Sequence, residues 1–294
     1  MHYKILHRTS YHYEFPVTVG HYTARLEPRN LQVQACPWHR LVIRPEPWVR
    51  SFRTDAFGNH VEYFEFEGAH QELEVISRSL VKVSASCPPL PSATPAWETI
   101  REGALGTGIS PVTAAGAYTF GSPLIVPSAV FRDYAASSFP AGRPVLQGVC
   151  DLNQRLHQDF TFDPTATDAA TPIIEAFEKR RGVCQDLAQI MIACLRSHGL
   201  PARYVSGYLE TLPPPGQARL VGADASHAWV SVFCGGNHGW IDADPTNNLL
   251  PSERHVTIAW GRDFSDVVPL RGITLGAGKQ RLTVAVDVEP VNEE

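Results

Sequence analysis

One cysteine of the six stands apart from the others. Cys184 lies in Arg181-Gly182-Val183-Cys184-Gln185-Asp186, immediately ahead of a helical run. In that run Leu187, Ile190, Met191, Cys194 and Leu195 fall at i, i+3, i+4, i+7 and i+8, and Gly199 supplies the stop. A thiol at a helix start meets unpaired N–H groups and the positive end of the helix dipole, both of which favour thiolate, the nucleophilic form. Gly182 lets the backbone approach closely before the turn. Cys194 sits on the apolar stripe and reads as a small core residue. Cys184 precedes the stripe and is followed by polar Gln185 and Asp186. Asp186 reads first as support for the opening helical turn, with service to a site as the alternative.

A thiolate nucleophile needs a base and a group to orient the base. His227 begins a strand that runs to Cys234, Gly235-Gly236 starts a turn, and Trp240 to Thr246 forms the return, carrying Asp242 and Asp244. With Gly235-Gly236 as a two-residue hairpin loop, Cys234 faces Asn237 and His227 faces Asp244. Directly opposed residues lie about 4.5–5.5 Å apart at Cβ, within reach of a His–carboxylate hydrogen bond. A longer loop shifts the register by a residue or two and makes the pair diagonal. Asp242 shares the face of Asp244 and is the reserve candidate. Cys184 and His227, with Asp244 or Asp242 behind the imidazole, suit a thiol nucleophile with its base and orienting acid.

Other clusters carry less. His2, His7 and His12 are five apart on a predicted strand, so successive ones face opposite sides and form no metal set. Asp242-Ala243-Asp244 lacks the residues an EF-hand needs at its following positions. No metal and no cofactor is expected. Arg262, Asp263 and Asp266 read as a structural ion-pair cluster, and Tyr208 and Trp229 as packing residues. Pro213-Pro214-Pro215-Gly216 reads as a rigid surface turn.

The elements that must position these residues divide the chain in three. The 294 residues suggest about two domains at roughly 150 residues each. Residues 1–85 read as all-β, with strands over Tyr3 to Phe15 (closed by Pro16), Tyr22 to Leu26, Leu41 to Ile43, His60 to Phe66 and Leu73 to Val83. Val61 and Tyr63 alternate with Glu62 and Glu65 there, as in a half-buried antiparallel strand. Residues 86–127 are rich in Pro, Gly, Ala, Ser and Thr and read as a linker with short helical pieces. Residues 128–294 read as an α+β unit, with helices over Ala129 to Phe139, Val145 to Gln158 and Gln185 to His198. Strands follow over Arg203 to Leu209, Ala228 to Phe233, Trp240 to Ala243 and Leu282 to Val288.

Composition excludes some classes. Lys+Arg 25 against Asp+Glu 30 leaves a formal charge of −5, which argues against a general nucleic-acid binder. No apolar run of about eighteen residues suggests a membrane span, and the N-terminal stretch has no apolar core of a signal peptide. The sparse, irregularly spaced cysteines suit a reduced, cytoplasmic compartment.

Gly182 to Ala188, followed by Leu200 to Tyr208, resembles the nucleophile helix and next strand of the transglutaminase-like superfamily. His227-Ala228-Trp229 and Gly239-Trp240 through Asp244-Pro245-Thr246 resemble its histidine and aspartate blocks. The N-terminal strands resemble the β-domain that precedes this core in bacterial members, and Gly261 to Val267 resembles their C-terminal segment. The resemblance implies an N-terminal antiparallel β-sandwich before a papain-like core in which a nucleophile helix packs on an antiparallel sheet. It implies Cys184, His227 and Asp244 as a catalytic triad, with Asp244 and not Asp242 as the orienting acid. It also implies an oxyanion hole built from the Cys184 N–H and a second donor near His157 to Phe162. The expected activity is that of a cysteine peptidase or amidase on a peptide or other amide substrate. Transfer to an amine acceptor is the alternative, and a catalytically silent binding protein is a third reading.

Overall fold

The computed structural model describes residues 1–106, 110–168, 170–211 and 226–291. The chain opens with four strands: β1 (His2–Ala24), β2 (Gln34–Arg44), β3 (Val49–Thr54) and β4 (His60–Val83). A helical part follows, with α1 (Trp97–Leu105), α2 (Pro111–Ala115), α3 (Ala129–Ala135), α4 (Val145–Asp159), β5 (Thr161–Phe162), α5 (Ile173–Lys179), β6 (Arg181–Gly182) and α6 (Cys184–Ser197). Then come β7 (Ala202–Leu209), β8 (Ser226–Phe233), β9 (Trp240–Ala243), β10 (His255–Gly261), α7 (Phe264–Val267), β11 (Leu270–Leu275) and β12 (Gln280–Val291). The rigid turn expected at Pro213 to Gly216 lies outside the described residues.

Pro16 and Glu67-Gly68 read as strand breaks in the sequence, yet β1 and β4 run past them. The β1–β4 register slips between His12 and Val17 and again between Val17 and Val19, and bulges of this kind bend a strand without ending it. Each long strand therefore serves two half-sheets. The first half of β1 pairs with β12 and the second half of β4, on which β2 also lies; the second half of β1 pairs with β11 and the first half of β4, on which β3 lies. The halves close over Tyr13, Val17, Tyr22, Leu41, Ile43, Phe64, Phe66, Leu73 and Val75, giving an antiparallel sandwich. In β4 Val61 is buried as the alternation predicts, but Glu62, Phe64 and Phe66 are buried as well while Tyr63 is half-buried. Glu62 is tolerated inside because Arg50 on the neighbouring strand pairs with it.

The strand expected at Leu282 to Val288 beside the helices goes to this sandwich instead, as β12 along β1 from His2↔Val291 to Tyr13↔Gln280. Alternating Leu282, Val284, Val286 and Val288 marked a strand with one buried face but could not say which sheet receives it. The two ends of the chain thus build one sheet, which corrects the grouping of 128–294 with the helices. The segment 86–127, expected as a linker with short helical pieces, carries the short helices α1 and α2 and sends Trp97, Ile100, Ala115 and Ile125 into the main core.

The second sheet is antiparallel, in the order β10-β7-β8-β9. Helix α6 is buried from Asp186 to Arg196 and shares a core with this sheet through Leu187, Ile190, Met191, Cys194, Val230 and Val232. The outer edge of β10 is capped by side chains of the sandwich. The Gln34 amide donates to the Thr257 carbonyl and accepts the Thr257 N–H, both at 2.8 Å, and Asn59 does the same for Trp260 at 2.9 and 3.0 Å. Edge backbone that would otherwise be unpaired is satisfied in this way. Arg29 stacks at 3.6 Å on Trp260, whose ring also receives Arg203 at 3.7 Å. No helix among the described residues is long and apolar enough to cross a membrane.

Candidate active site

Cys184 is the first residue of α6 and is half-buried. The helix start is fixed by Asp186, whose Oδ2 accepts the Val183 N–H at 2.8 Å and the Thr167 hydroxyl at 2.6 Å. This is the backbone half of a capping box. A side chain at Gly182 would collide with the Asp186 carboxylate, so the glycine permits the approach. Burial raises the Asp186 carboxyl above its usual range, against the opposing effect of those two donors. Asp186 thus supports the turn, as expected.

His227 lies near the start of β8, opposite Gly207 of β7. A side chain at Gly207 would run into the Val256 carbonyl and the Trp229 indole. Trp229 crosses that bare backbone and donates its indole N–H to Asp242 at 2.8 Å. The reserve candidate Asp242 is therefore committed to Trp229.

Asp244 follows β9 and is fully buried. The β8–β9 ladder pairs Val230 with Ala243 and Phe233 with Trp240, leaving a loop from Cys234 to Gly239. This register is two residues off the one that a Gly235-Gly236 loop gives, so His227 and Asp244 meet diagonally. The His227 Nε2–Asp244 Oδ2 distance is 2.7 Å. Asp244 Oδ1 accepts the N–H groups of Thr246 (2.9 Å) and Asn247 (3.2 Å), and its backbone pairs with Leu249, closing a tight loop. His157 braces that loop by donating Nδ1–H to the Thr246 carbonyl at 2.9 Å.

The structure brings the three predicted residues together. His227 is bonded to Asp244 through Nε2, and Cys184 acts on the same imidazole, so Nδ1 is the nitrogen left for the thiol. Burial alone would push the imidazole down, but Asp244 and Cys184 carry it up to about 10. Burial likewise works against the Asp244 carboxylate, yet donors from His227, His255 and Asn247 hold it well below the usual range. Of the stretch expected to give a second oxyanion donor, Thr161 and Phe162 are brought beside Arg181 and Gly182 as a parallel ladder. The N–H groups of Thr161 and Asp163 are consumed there by the carbonyls of Arg180 and Gly182.

His255 was not singled out by sequence. It opens β10, a run buried on both faces that carries no alternation to mark an inward polar residue. Its Nε2 lies 3.1 Å from Asp244 Oδ2. The ligand atoms of His227, Asp244 and His255 fall within 4.8 Å of one another, a spacing open to a divalent ion. Hydrogen bonds to one carboxylate oxygen account for that spacing with protons alone. Elsewhere, Arg262 forms the expected ion pair with Asp266 (2.9 and 3.0 Å), while Asp263 caps α7 and accepts the Leu124 N–H. Tyr208 is buried and bonded to His7.

Residues 134–245 match the transglutaminase-like superfamily, and residues 3–82 match the bacterial transglutaminase-like N-terminal region. The chain belongs to the transglutaminase-like superfamily. An uncharacterised protein of Mycobacterium tuberculosis is 42% identical over 98% of this chain and 92% of its own length. A protein-glutamine gamma-glutamyltransferase of Pseudomonas aeruginosa is 36% identical over 107 residues, covering 35% of this chain and 16% of that one. A solved structure of a candidate cysteine protease from Cytophaga hutchinsonii has the same fold, with a TM-score of 0.76 over 100% of this chain and 92% of that one at 19% identity. Members of the transglutaminase-like superfamily are typically enzymes, and the sites above lie in the superfamily core at Cys184, His227 and Asp244.

Proposed function

We propose that this protein is a thiol-dependent acyl-transfer enzyme that cleaves amide bonds in a peptide or related substrate. The observation that carries the reading is one buried imidazole, His227, held at 2.7 Å by the Asp244 carboxylate and raised in proton affinity by Asp244 and by Cys184 at the start of α6. The thiol proton rests on His227 Nδ1 before the reaction, so Cys184 Sγ attacks the amide carbonyl from an ion pair with the imidazolium, and the resulting oxyanion is stabilised by the Cys184 N–H at the helix start. The tetrahedral species collapses with rupture of the C–N bond, and His227 gives its proton to the leaving amine. Water, deprotonated by His227, then attacks the thioester and releases the carboxylic acid and the thiol. Asp244 holds the ring in the tautomer that keeps Nδ1 on the thiol. The raised proton affinity of His227 keeps it able to protonate the leaving amine across neutral pH.

A second reading is favoured by the 107-residue similarity to a protein-glutamine gamma-glutamyltransferase: an amine in place of water resolves the thioester. The first test is iodoacetamide labelling at pH 6 to 7 with the modified cysteine mapped and Cys184→Ala as control. Fast labelling of Cys184 ahead of the other cysteines supports the reading; Cys184 labelling no faster than exposed Cys87 overturns it. A glutaminyl peptide supplied with and without a primary amine then separates the acceptors, by whether free acid or an amide conjugate accumulates.

A further inference from the structure

Asp244 has a second histidine. The crossover 245–254 carries the chain from β9, at one edge of the second sheet, to β10 at the other, so His255 arrives at the same end of the sheet as His227. His255 is buried, with 4% of its side chain exposed, and its ring meets Trp229 edge-on at 5.2 Å and 85°. Its Nε2 is 3.1 Å from Asp244 Oδ2. Its Nδ1 is buried with no hydrogen-bond partner among the described residues.

The bare Nδ1 selects the tautomer. A buried N–H left orphaned is rarer and more costly than an unused acceptor lone pair. The proton therefore sits on Nε2 and is donated to Asp244. Asp244 Oδ2 then receives three side-chain donors: His227 Nε2, His255 Nε2 and Asn247 Nδ2, the last at 2.7 Å. Oδ1 is occupied by two backbone N–H groups. With the loop holding Oδ1 and His255 holding Oδ2, the carboxylate plane is fixed, and Oδ2 has one direction in which to meet His227.

We propose that His255 is a positioning residue for the acyl-transfer site: its Nε2–H fixes Asp244, and through Asp244 it keeps His227 Nδ1 turned to the Cys184 thiol. The inference rests on Cys184 acting as the nucleophile. The contact with Trp229 alone would give His255 a packing role, and the two roles differ in what they require. Packing needs volume; positioning needs a donor.

Gln and Met have similar volume and flexibility but differ in that donor. The experiment measures iodoacetamide labelling of Cys184 in the full chain at pH 7, with exposed Cys87 as internal reference. Wild-type protein that does not label Cys184 selectively refutes the nucleophile reading itself. Where wild type is selective, positioning requires His255→Met to slow Cys184 labelling by about tenfold and His255→Gln to stay within about threefold of wild type. Placed on Asp244→Asn, His255→Met should then add no further loss, because residues acting through one another are not additive. Equal rates for the Gln and Met variants, or a full tenfold loss that persists in the Asp244→Asn background, overturns the proposal.

Discussion

The His227 imidazole and the Asp244 carboxylate meet at 2.7 Å although their strands set them two residues out of direct opposition. The six-residue loop from Cys234 to Gly239 causes the offset. Contact survives because Asp244 is not part of β9: it begins the tight loop that closes on Leu249, and that loop turns the carboxylate back across the sheet end. The orientation of His227 therefore depends on the Pro245–Asn248 turn as much as on the hairpin.

Replacing Asp244 by Asn should move the pH dependence of the site. Burial pulls the His227 imidazole down, while Asp244 and Cys184 raise it to about 10. In the wild type the imidazolium persists through neutral pH and is lost only as pH approaches about 10. Without the carboxylate, burial gains the upper hand and the imidazolium is lost at lower pH. The same group affects stability: its folded value lies above the unfolded value of about 6.5, so its contribution is full below that pH and is lost as pH rises toward about 10. Asp244→Asn should flatten this alkaline loss and slow the neutral-pH rate by about 100-fold or more. An NMR titration of the His227 ring and the Cys184 labelling rate at pH 7 check it in both proteins; an unmoved His227 titration contradicts it.

Gly207→Ala should be strongly destabilising. A methyl there meets the Val256 backbone on one side and the Trp229 ring on the other, and overpacking against backbone costs about 1–3 kcal/mol or more. Displacing Trp229 also releases Asp242 and the edge contact with His255. Unfolding free energies from denaturant curves should fall by that amount, and Cys184 labelling should slow in the folded fraction. A loss under about 0.5 kcal/mol, the range of neutral surface changes, would contradict the clash.

What the sequence made legible follows from periodicity and its limits. The 3.6-residue stripe from Leu187 to Leu195 located α6 and so singled out Cys184, because a helix reports its own start. The hairpin named His227 and Asp244 as neighbours, but the register depended on a loop length that Gly235-Gly236 did not reveal. Pro16 misled because a bulge absorbs a proline that a regular ladder would reject. His255 was hidden for two reasons. Its strand is apolar on both faces, and its partner lies across a crossover whose course no local pattern encodes. The destination of β12 was hidden likewise: alternation identifies a strand, while its partner is set by the whole fold.

Asp186→Ala should loosen the nucleophile's helix start. It removes the acceptor of the Val183 N–H and of the Thr167 hydroxyl in a buried site. Loss of a cap together with an orphaned buried donor costs about 1–3 kcal/mol. Asp186→Asn keeps an acceptor and should lose less. Thermal midpoints rank the three proteins, with wild type highest and Ala lowest; labelling of Cys184 should follow the same order. An Ala variant as stable as wild type would show that the cap is dispensable.

Acid should weaken the seam between the sandwich and the catalytic sheet through His7. This residue is 2% exposed; its Nδ1 meets the Tyr208 hydroxyl at 2.8 Å and its Nε2 meets Thr9 Oγ1 at 3.0 Å. Burial pushes its imidazole down to about 4, so it is neutral in the folded protein while the unfolded chain titrates near 6.5. For a base with a depressed folded value, the unfolded state binds the proton first. Stability is therefore full above about 6.5 and falls as pH drops toward about 4, by up to about 3 kcal/mol for this gap. His7→Gln offers the two hydroxyls polar partners but cannot titrate. Urea unfolding at pH 7 and pH 4.5 should show the wild type losing about 2 kcal/mol more than His7→Gln between the two conditions. The other groups that titrate in this window, including half-buried His39, are common to both proteins and cancel in the difference. Parallel losses would mean that His7 accepts its proton without leaving the seam.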